Sequence, residues 1–270
     1  MKTLRLKTVD AYVAFDFDCP TSAGGTRLAP DVTERETQLL ARAMSYKFAV
    51  LETRFGGAKG AIRATPETRD DAVRRYVDEI RPMVVATKFL TATDLGTLPK
   101  DLESLPGTDQ AGLMHTEYRG MPLDAYLTGL GVATAAEKVL GGLDGRTAAI
   151  EGFGKVGGAT AVEMARRQAR VVAPGANVPY TAGALEVLRE RGIPALADFV
   201  CNAGATIGYV TEGLLRADEA VAAVEKRVRE LTEESLKDPK GPVAGAARIA
   251  EAHLRTWLEP AQMPDGPALA

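Results

Sequence analysis

The feature that most constrains this chain lies in its second half, where the short apolar run from Arg146 to Ile150 leads at once into Gly152-Phe-Gly-Lys-Val-Gly157 and then a stretch with Val162 and Met164 at helical spacing. Glycines placed between a strand and a helix permit a tight turn that an anion can approach closely. The free N–H groups and dipole of the helix start then favour a negative group such as a pyrophosphate. The same rhythm continues: a strand is predicted at Arg170 to Ala173, a helix at Ala182 to Arg191 and a strand at Ile193 to Asp198. Such alternation specifies an α/β fold with a parallel, doubly wound sheet. A dinucleotide site also calls for an acid about 20 residues on, at the end of the next strand. Here that strand ends Val172-Ala173-Pro174, without one.

Composition narrows the partners. Hydrophobic residues at 46% and charged residues at 26% over 270 residues describe a folded protein with enough core for two compact domains, and exclude a disordered chain. Thirty-three Lys and Arg against 36 Asp and Glu give a net charge of -3 with no run of like charge, so neither nucleic acid nor an anionic membrane is an expected partner. Charges interrupt the apolar stretches, so no membrane span or signal peptide is read and a cytoplasmic address is expected. Cys19, Cys201, His115 and His253 are too few for a disulfide framework or a zinc cage. No metal is expected, and the chemistry falls to lysines and carboxylates. His115 reads as a solvated loop residue and Cys201 as a small buried one.

In the first half, Leu4 to Phe17 reads as one extended segment that runs into a turn over Pro20 to Gly25. Thr33 and Glu36 form a capping-box pattern ahead of a helix that delivers Lys47 at its end. A second helix is predicted from about Glu67 to Arg81, with Pro82 ending it or opening the next segment. Between the helices, Lys59 sits in Gly56-Gly-Ala-Lys-Gly-Ala61, where small residues let backbone crowd the amine; desolvation lowers a lysine pKa toward the range of a general base, whereas a solvated loop lysine is the plain alternative. Asp94, in Thr93-Asp-Leu-Gly-Thr97, reads by itself as a turn former or helix cap. A helix through Val132, Ala136 and Val139 stops at Gly141-Gly142, with a domain hinge placed in this region. Val221, Val224, Val228 and Leu231 form a core stripe, and a last helix runs through Trp257.

Taken in series, Gly24-Gly-Thr-Arg27, Met44-Ser-Tyr-Lys47, Gly56-Gly-Ala-Lys-Gly60, Thr93-Asp-Leu-Gly-Thr97, Thr128-Gly-Leu-Gly-Val132, Gly152-Phe-Gly-Lys-Val-Gly157, Gly175-Ala-Asn-Val-Pro179 and Asn202-Ala-Gly204 resemble the glutamate/leucine/phenylalanine/valine dehydrogenase family, in the family's order and over roughly residues 11 to 258. The intervals from Lys47 to Lys59 and from Lys59 to Asp94 match leucine dehydrogenase-like members. The resemblance implies reversible oxidative deamination of an L-amino acid to a 2-oxo acid and ammonia, with NAD or NADP taking the hydride. It assigns Lys47, with backbone at Gly24 and Gly25, to the substrate α-carboxylate. Lys59 activates the attacking water, and Asp94 shuttles protons at the substrate nitrogen. Thr206 and Tyr209 contribute to the side-chain pocket. Thr128, Gly152, Gly154, Lys155, Val156, Gly157, Asn177 and Asn202 line the cofactor. Ala23 stands where glutamate-specific members commonly carry a lysine, which points to an apolar amino acid.

The resemblance further implies an N-terminal α/β substrate and oligomerisation domain over 1–125, a Rossmann-like dinucleotide-binding domain over 126–240, and a C-terminal helix over 241–270 that packs back on the first domain. Gly157 and Asn177 are only 20 residues apart, where the family runs through further strands and helices, so the cofactor domain is expected to be truncated. Two readings follow. One is a minimal dehydrogenase, a homo-oligomer acting on an amino acid or 2-oxo acid. The other is a catalytically degenerate paralogue serving as an amino-acid-sensing or regulatory subunit of a full-length dehydrogenase in a hetero-oligomer.

Overall fold

A computed structural model describes residues 1–107, 116–146, 155–167, 182–190, 194–211, 213 and 216–269. Its contacts group into two units, Met1–Ala49 with Arg54–Gln110 and Leu254–Ala268, and Val50–Thr53 with Ala111–His253 and Leu269–Ala270. The chain is α/β, as its pattern predicts. Among the described residues no helix is long and apolar enough to cross a membrane.

The first unit is built on a five-stranded sheet. Its elements are β1 (Lys2–Arg5), β2 (Ala11–Phe15), β3 (Ser22–Leu28), α1 (Glu34–Val50), β4 (Gly56–Ile62), α2 (Arg69–Val85), β5 (Phe89–Thr93) and α3 (Pro99–Leu102). The sheet order is β1-β2-β4-β3-β5, with β3 parallel to both β4 and β5, and β2 antiparallel to both β1 and β4. Helices α1 and α2 make the crossovers that parallel neighbours require.

Three expectations for this half are corrected. Leu4 to Phe17 is a hairpin instead of one strand, reversing where Leu6 N–H donates to Ala11 O (3.0 Å) and where the N–H groups of Lys7 and Thr8 donate to the Glu79 carboxylate of α2 (2.7 and 2.9 Å). Gly24 and Gly25 lie in β3 instead of a turn. A Cβ at Gly24 would stand 1.8 Å from the carbonyl oxygen of Ala58, so glycine serves here for close approach of strands. Helix α2 runs through Pro82 to Val85. The proline removes a single N–H in the last turn while the buried Val84 beyond it still packs into the core.

Strand β4 explains how both flanking helices come so close. It is buried along its whole length. A Cβ at Gly57 would meet Ala41 O of α1 at 2.1 Å, and one at Gly60 would meet Tyr76 Oη of α2 at 2.0 Å. The solvated-loop reading of Lys59 is therefore corrected as well: the residue is in the middle of a central strand.

The second unit is assembled around α4 (Leu123–Leu140), which follows the small hairpin β6 (Glu117–Tyr118) and β7 (Met121–Pro122). Small residues let neighbours seat against α4 on several sides: a Cβ at Gly129 would be 2.5 Å from Thr160 N, and one at Gly131 would be 2.7 Å from Cys201 O. The helix closes at Gly141 in the left-handed conformation (φ 68°), whose N–H donates to Glu137 O, the stop predicted from the glycine pair. Packed on it are α5 (Lys155–Arg166), α7 (Asp198–Cys201), α8 (Gly204–Val210) and α9 (Ala217–Ser235), and the chain also forms α6 (Ala182–Glu190) and α10 (Pro242–Leu254). Val224, Val228 and Leu231 are buried along α9, as the stripe predicts. The strand expected at Ile193 to Asp198 is corrected: residues 194–197 have no regular structure and Asp198 opens α7, its run of buried apolar residues being too short to distinguish strand from helix by pattern. The strands expected at Arg146 to Ile150 (beyond Arg146 itself) and Arg170 to Ala173 lie outside the described residues, as does His115. The segment that groups with the first unit at the C-terminus is Leu254–Ala268, which follows the body of α10.

Candidate active site

Within the first unit, three strands and a helix deliver charged groups to one place. Gly57 of β4 faces α1, where its N–H donates to Ser45 Oγ (3.1 Å), so Lys59, two residues on, shares that face. Its side chain is only 4% exposed, and Nζ lies 2.8 Å from Asp94 Oδ2. Asp94 directly follows β5 in a turn held by Thr97: the Asp94 N–H donates to Thr97 Oγ1 (2.8 Å), and that hydroxyl donates to Thr26 O (2.8 Å). Gly96, with φ 80°, makes the turn possible, since a side chain there would also drive into Leu28 O.

Gly25 of β3 abuts the carboxylate, with its missing Cβ 3.0 Å from Asp94 Cβ. Gly24 lies against Ala58 and against Met44 of α1, one turn before the buried Lys47. The fold thus collects Gly24, Gly25, Lys59 and Asp94 closely, and places Lys47 in the last turn of the helix that packs on them.

Two residues to which the sequence reading gave no role in the site join it. Arg27 of β3 donates from Nε to Asp94 Oδ2 (3.0 Å) and from Nη1 to Glu36 Oε1 of α1 (2.6 Å). Arg27 lies in the quoted Gly24-to-Arg27 segment and Glu36 in the capping box, where Thr33 Oγ1 accepts the Glu36 N–H (3.1 Å). Their sequence signals were present, but their pairing depends on tertiary contacts.

Burial pushes the Lys59 ammonium below the ordinary lysine value, opposed by the neighbouring Asp94. Burial by itself would raise Asp94; the charges of Lys59 and Arg27, with their hydrogen bonds, override it and hold the carboxyl well below the usual carboxylate range. The result is an ionised carboxylate beside an amine with a weakened grip on its proton, a pair suited to moving protons.

In the second unit, Thr128 of α4 accepts the Ala205 N–H at the start of α8 (3.3 Å) and donates to Asp124 O (2.9 Å). Asn202 is buried just before α8, where a Cβ at Gly204 would stand 1.8 Å from Leu127 O. Thr206 and the exposed Tyr209 follow on α8. Lys155, Val156 and Gly157 form the first turn of α5. Gly152, Gly154 and Asn177 lie outside the described residues.

Residues 1–110 match the family model described as Glu/Leu/Phe/Val dehydrogenase, dimerisation domain, and residues 159–237 the one described as Glutamate/Leucine/Phenylalanine/Valine dehydrogenase. The chain belongs to the Glu/Leu/Phe/Val dehydrogenase family. Among its relatives is an NADP-specific glutamate dehydrogenase of Saccharolobus shibatae, 25% identical over 305 residues that take in 76% of this chain and 72% of that one. The NADP(+)-dependent glutamate dehydrogenase of Pyrobaculum calidifontis is 30% identical over 63% of this chain and 44% of its own length. The fold is shared with L-tryptophan dehydrogenase from Nostoc punctiforme (TM-score 0.62, 21% identity, 94% of this chain and 96% of that one). It is likewise shared with a hetero-hexameric glutamate dehydrogenase from Thermus thermophilus in its Leu-bound form (TM-score 0.71, 20% identity, 93% and 86%).

Proposed function

We propose that this chain catalyses the NAD(P)-dependent oxidative deamination of an apolar L-amino acid to the 2-oxo acid and ammonia. The observation that carries the reading is the buried Lys59 paired at 2.8 Å with Asp94 in a family whose members are amino-acid dehydrogenases. Lys47 and the backbone at Gly24 and Gly25 hold the substrate carboxylate, fixing the Cα beside the pair. Asp94 takes a proton from the substrate ammonium. A bound nicotinamide would supply the hydride acceptor for Cα, and the residues here act on the imine that hydride loss leaves on the substrate. Lys59 in its neutral form takes a proton from water as the oxygen bonds to the imine carbon. Asp94 then returns its proton to the departing nitrogen, and as the carbonyl forms the hydroxyl proton leaves with the ammonia as ammonium, while Lys59 gives its proton to solvent.

For the cofactor, the first turn of α5 offers N–H groups at Lys155, Val156 and Gly157, with open space around Gly158, and Thr128 and Asn202 supply polar side chains. These residues suit a pyrophosphate and a nicotinamide amide. The match to the S. shibatae enzyme extends over 305 residues, more than the 270 of the whole chain, while taking in 76% of it, in keeping with a chain shortened relative to that enzyme; we place the shortening between Gly157 and Asn177. Ala23, in the strand beside Gly24, offers no cation for a side-chain carboxylate, which favours an apolar substrate. We place the protein in the cytoplasm as a homo-oligomer.

The same shortening favours a second reading, an amino-acid-sensing subunit that has lost the cofactor. Calorimetric titration with NAD and NADP, then with leucine, valine, phenylalanine and glutamate, separates the two. The dehydrogenase reading expects cofactor binding at about millimolar or tighter, roughly 4 kcal/mol. An amino acid bound without any cofactor contradicts it and establishes the sensor.

A further inference from the structure

We infer that Arg27 is a positioning residue for Asp94: anchored by Glu36, its guanidinium occupies Oδ2 together with Lys59 and fixes the rotation of the carboxylate so that Oδ1 is the oxygen presented to the substrate amino group. This inference rests on the proposed deamination and adds to it a residue to which the resemblance assigned no role.

The geometry is over-determined. Two donors, Arg27 Nε at 3.0 Å and Lys59 Nζ at 2.8 Å, converge on the same oxygen. Among the described residues no donor is directed at Oδ1, and at 22% exposure the Asp94 side chain is the most open of the three, against 17% for Arg27 and 4% for Lys59. The guanidinium is itself fixed, because its Nη1 donates to Glu36 Oε1 at 2.6 Å; a planar fork held at both ends defines a direction that a flexible ammonium cannot. On the backbone side, Thr97 locks the turn to β3.

Arg27 also acts by charge. It draws the Asp94 carboxyl downward and, being a cation near a cation, draws Lys59 downward too. The other groups facing the carboxylate are Lys59 from β4 and Glu36 from α1. On the α2 side, Arg69 donates to Gly96 O of the same turn and pairs with Asp101, while the Tyr76 hydroxyl reaches Thr26 Oγ1. Among the described residues Lys59 is the other cation on Asp94 Oδ2, and none of the remaining groups brings a positive charge to that oxygen.

Arg27→Met, Arg27→Lys and Glu36→Gln test this in the full chain, read by steady-state pH profiles and by carbon NMR of Asp labelled at Cγ, with Asp94 assigned from Asp94→Asn. Arg27→Met is expected to lower kcat about a hundredfold with a smaller change in amino-acid KM, and to move both the pH profile and the Asp94 titration to higher pH. Arg27→Lys, which keeps the charge and loses the fork, is expected to leave the pH profile near that of the parent while kcat falls about tenfold. Glu36→Gln is expected to lower kcat with the Asp94 titration still low. An Asp94 resonance that titrates in Arg27→Met as in the parent, or an unchanged kcat, overturns the assignment. Absence of turnover in the parent counts against the proposed reaction, and the NMR titration, which needs no turnover, then decides the hold of Arg27 on Asp94 by itself.

Discussion

Lys59 and Asp94 owe their chemistry to burial on one side and to charge on the other. Lys59→Ala and Asp94→Asn are each expected to cut deamination by about a hundredfold or more while circular dichroism stays that of the parent; turnover retained in either removes the proton-transfer scheme. Because the Lys59 pKa is lowered, the deamination rate should rise with pH through a value below that of an ordinary lysine. A limb at the ordinary lysine value would show an amine that is not desolvated. The stability sign follows from Asp94, whose folded pKa is depressed: its contribution is fully present above the ordinary carboxylate pKa and lost as pH falls through the depressed value. Asp94→Asn should flatten that acid-side loss in urea titrations across pH. The burial of Lys59 was one of two readings its small neighbours allowed, since glycine and alanine leave an amine little water. Its partner was not, because Asp94 and Arg27 meet it through strand register and turn geometry, which local pattern does not encode.

At the scale of elements, the glycines of β4 determine how close α1 and α2 approach the sheet. Gly60→Ala should destabilise the protein by about 1–3 kcal/mol, measured as a lowered urea midpoint, since its Cβ would stand 2.0 Å from Tyr76 Oη. Adding Tyr76→Phe removes the nearer of the two atoms it strikes, leaving Thr26 Oγ1 at 2.5 Å, so the double variant should lose less than the two single losses combined. Additive losses would mean that the backbone moves instead. The helices α1, α2, α4 and α9 were legible because their apolar spacing persists over several turns. The first strands were not: Gly24 and Gly25 read as a turn because glycine marks both reversal of the chain and close approach of two backbones, and only the contact with Ala58 O tells them apart.

For the whole molecule, the C-terminal segment is part of the first unit. The Trp257 ring packs edge-on against Phe17 at 5.8 Å, Arg42 donates to Gly266 O, and Gln262 donates to Asp18 O. Trp257→Ala should lower stability by about 1–3 kcal/mol, read by circular dichroism in urea. An unchanged midpoint would show that the segment only rests on the unit. The family was legible from eight short segments in order, and the return of the chain to the first domain was implied by that resemblance alone, since no local pattern carries a tertiary contact.

In the proposed reaction the chain is a dehydrogenase with Lys59 as its base. The most direct test follows the absorbance of reduced nicotinamide while the purified protein and Lys59→Ala are each given NAD or NADP with leucine, valine, phenylalanine or glutamate. Turnover by the parent with an apolar amino acid, lost in Lys59→Ala, is the expected result. No reduction with any pair, or equal rates in the two proteins, would contradict it.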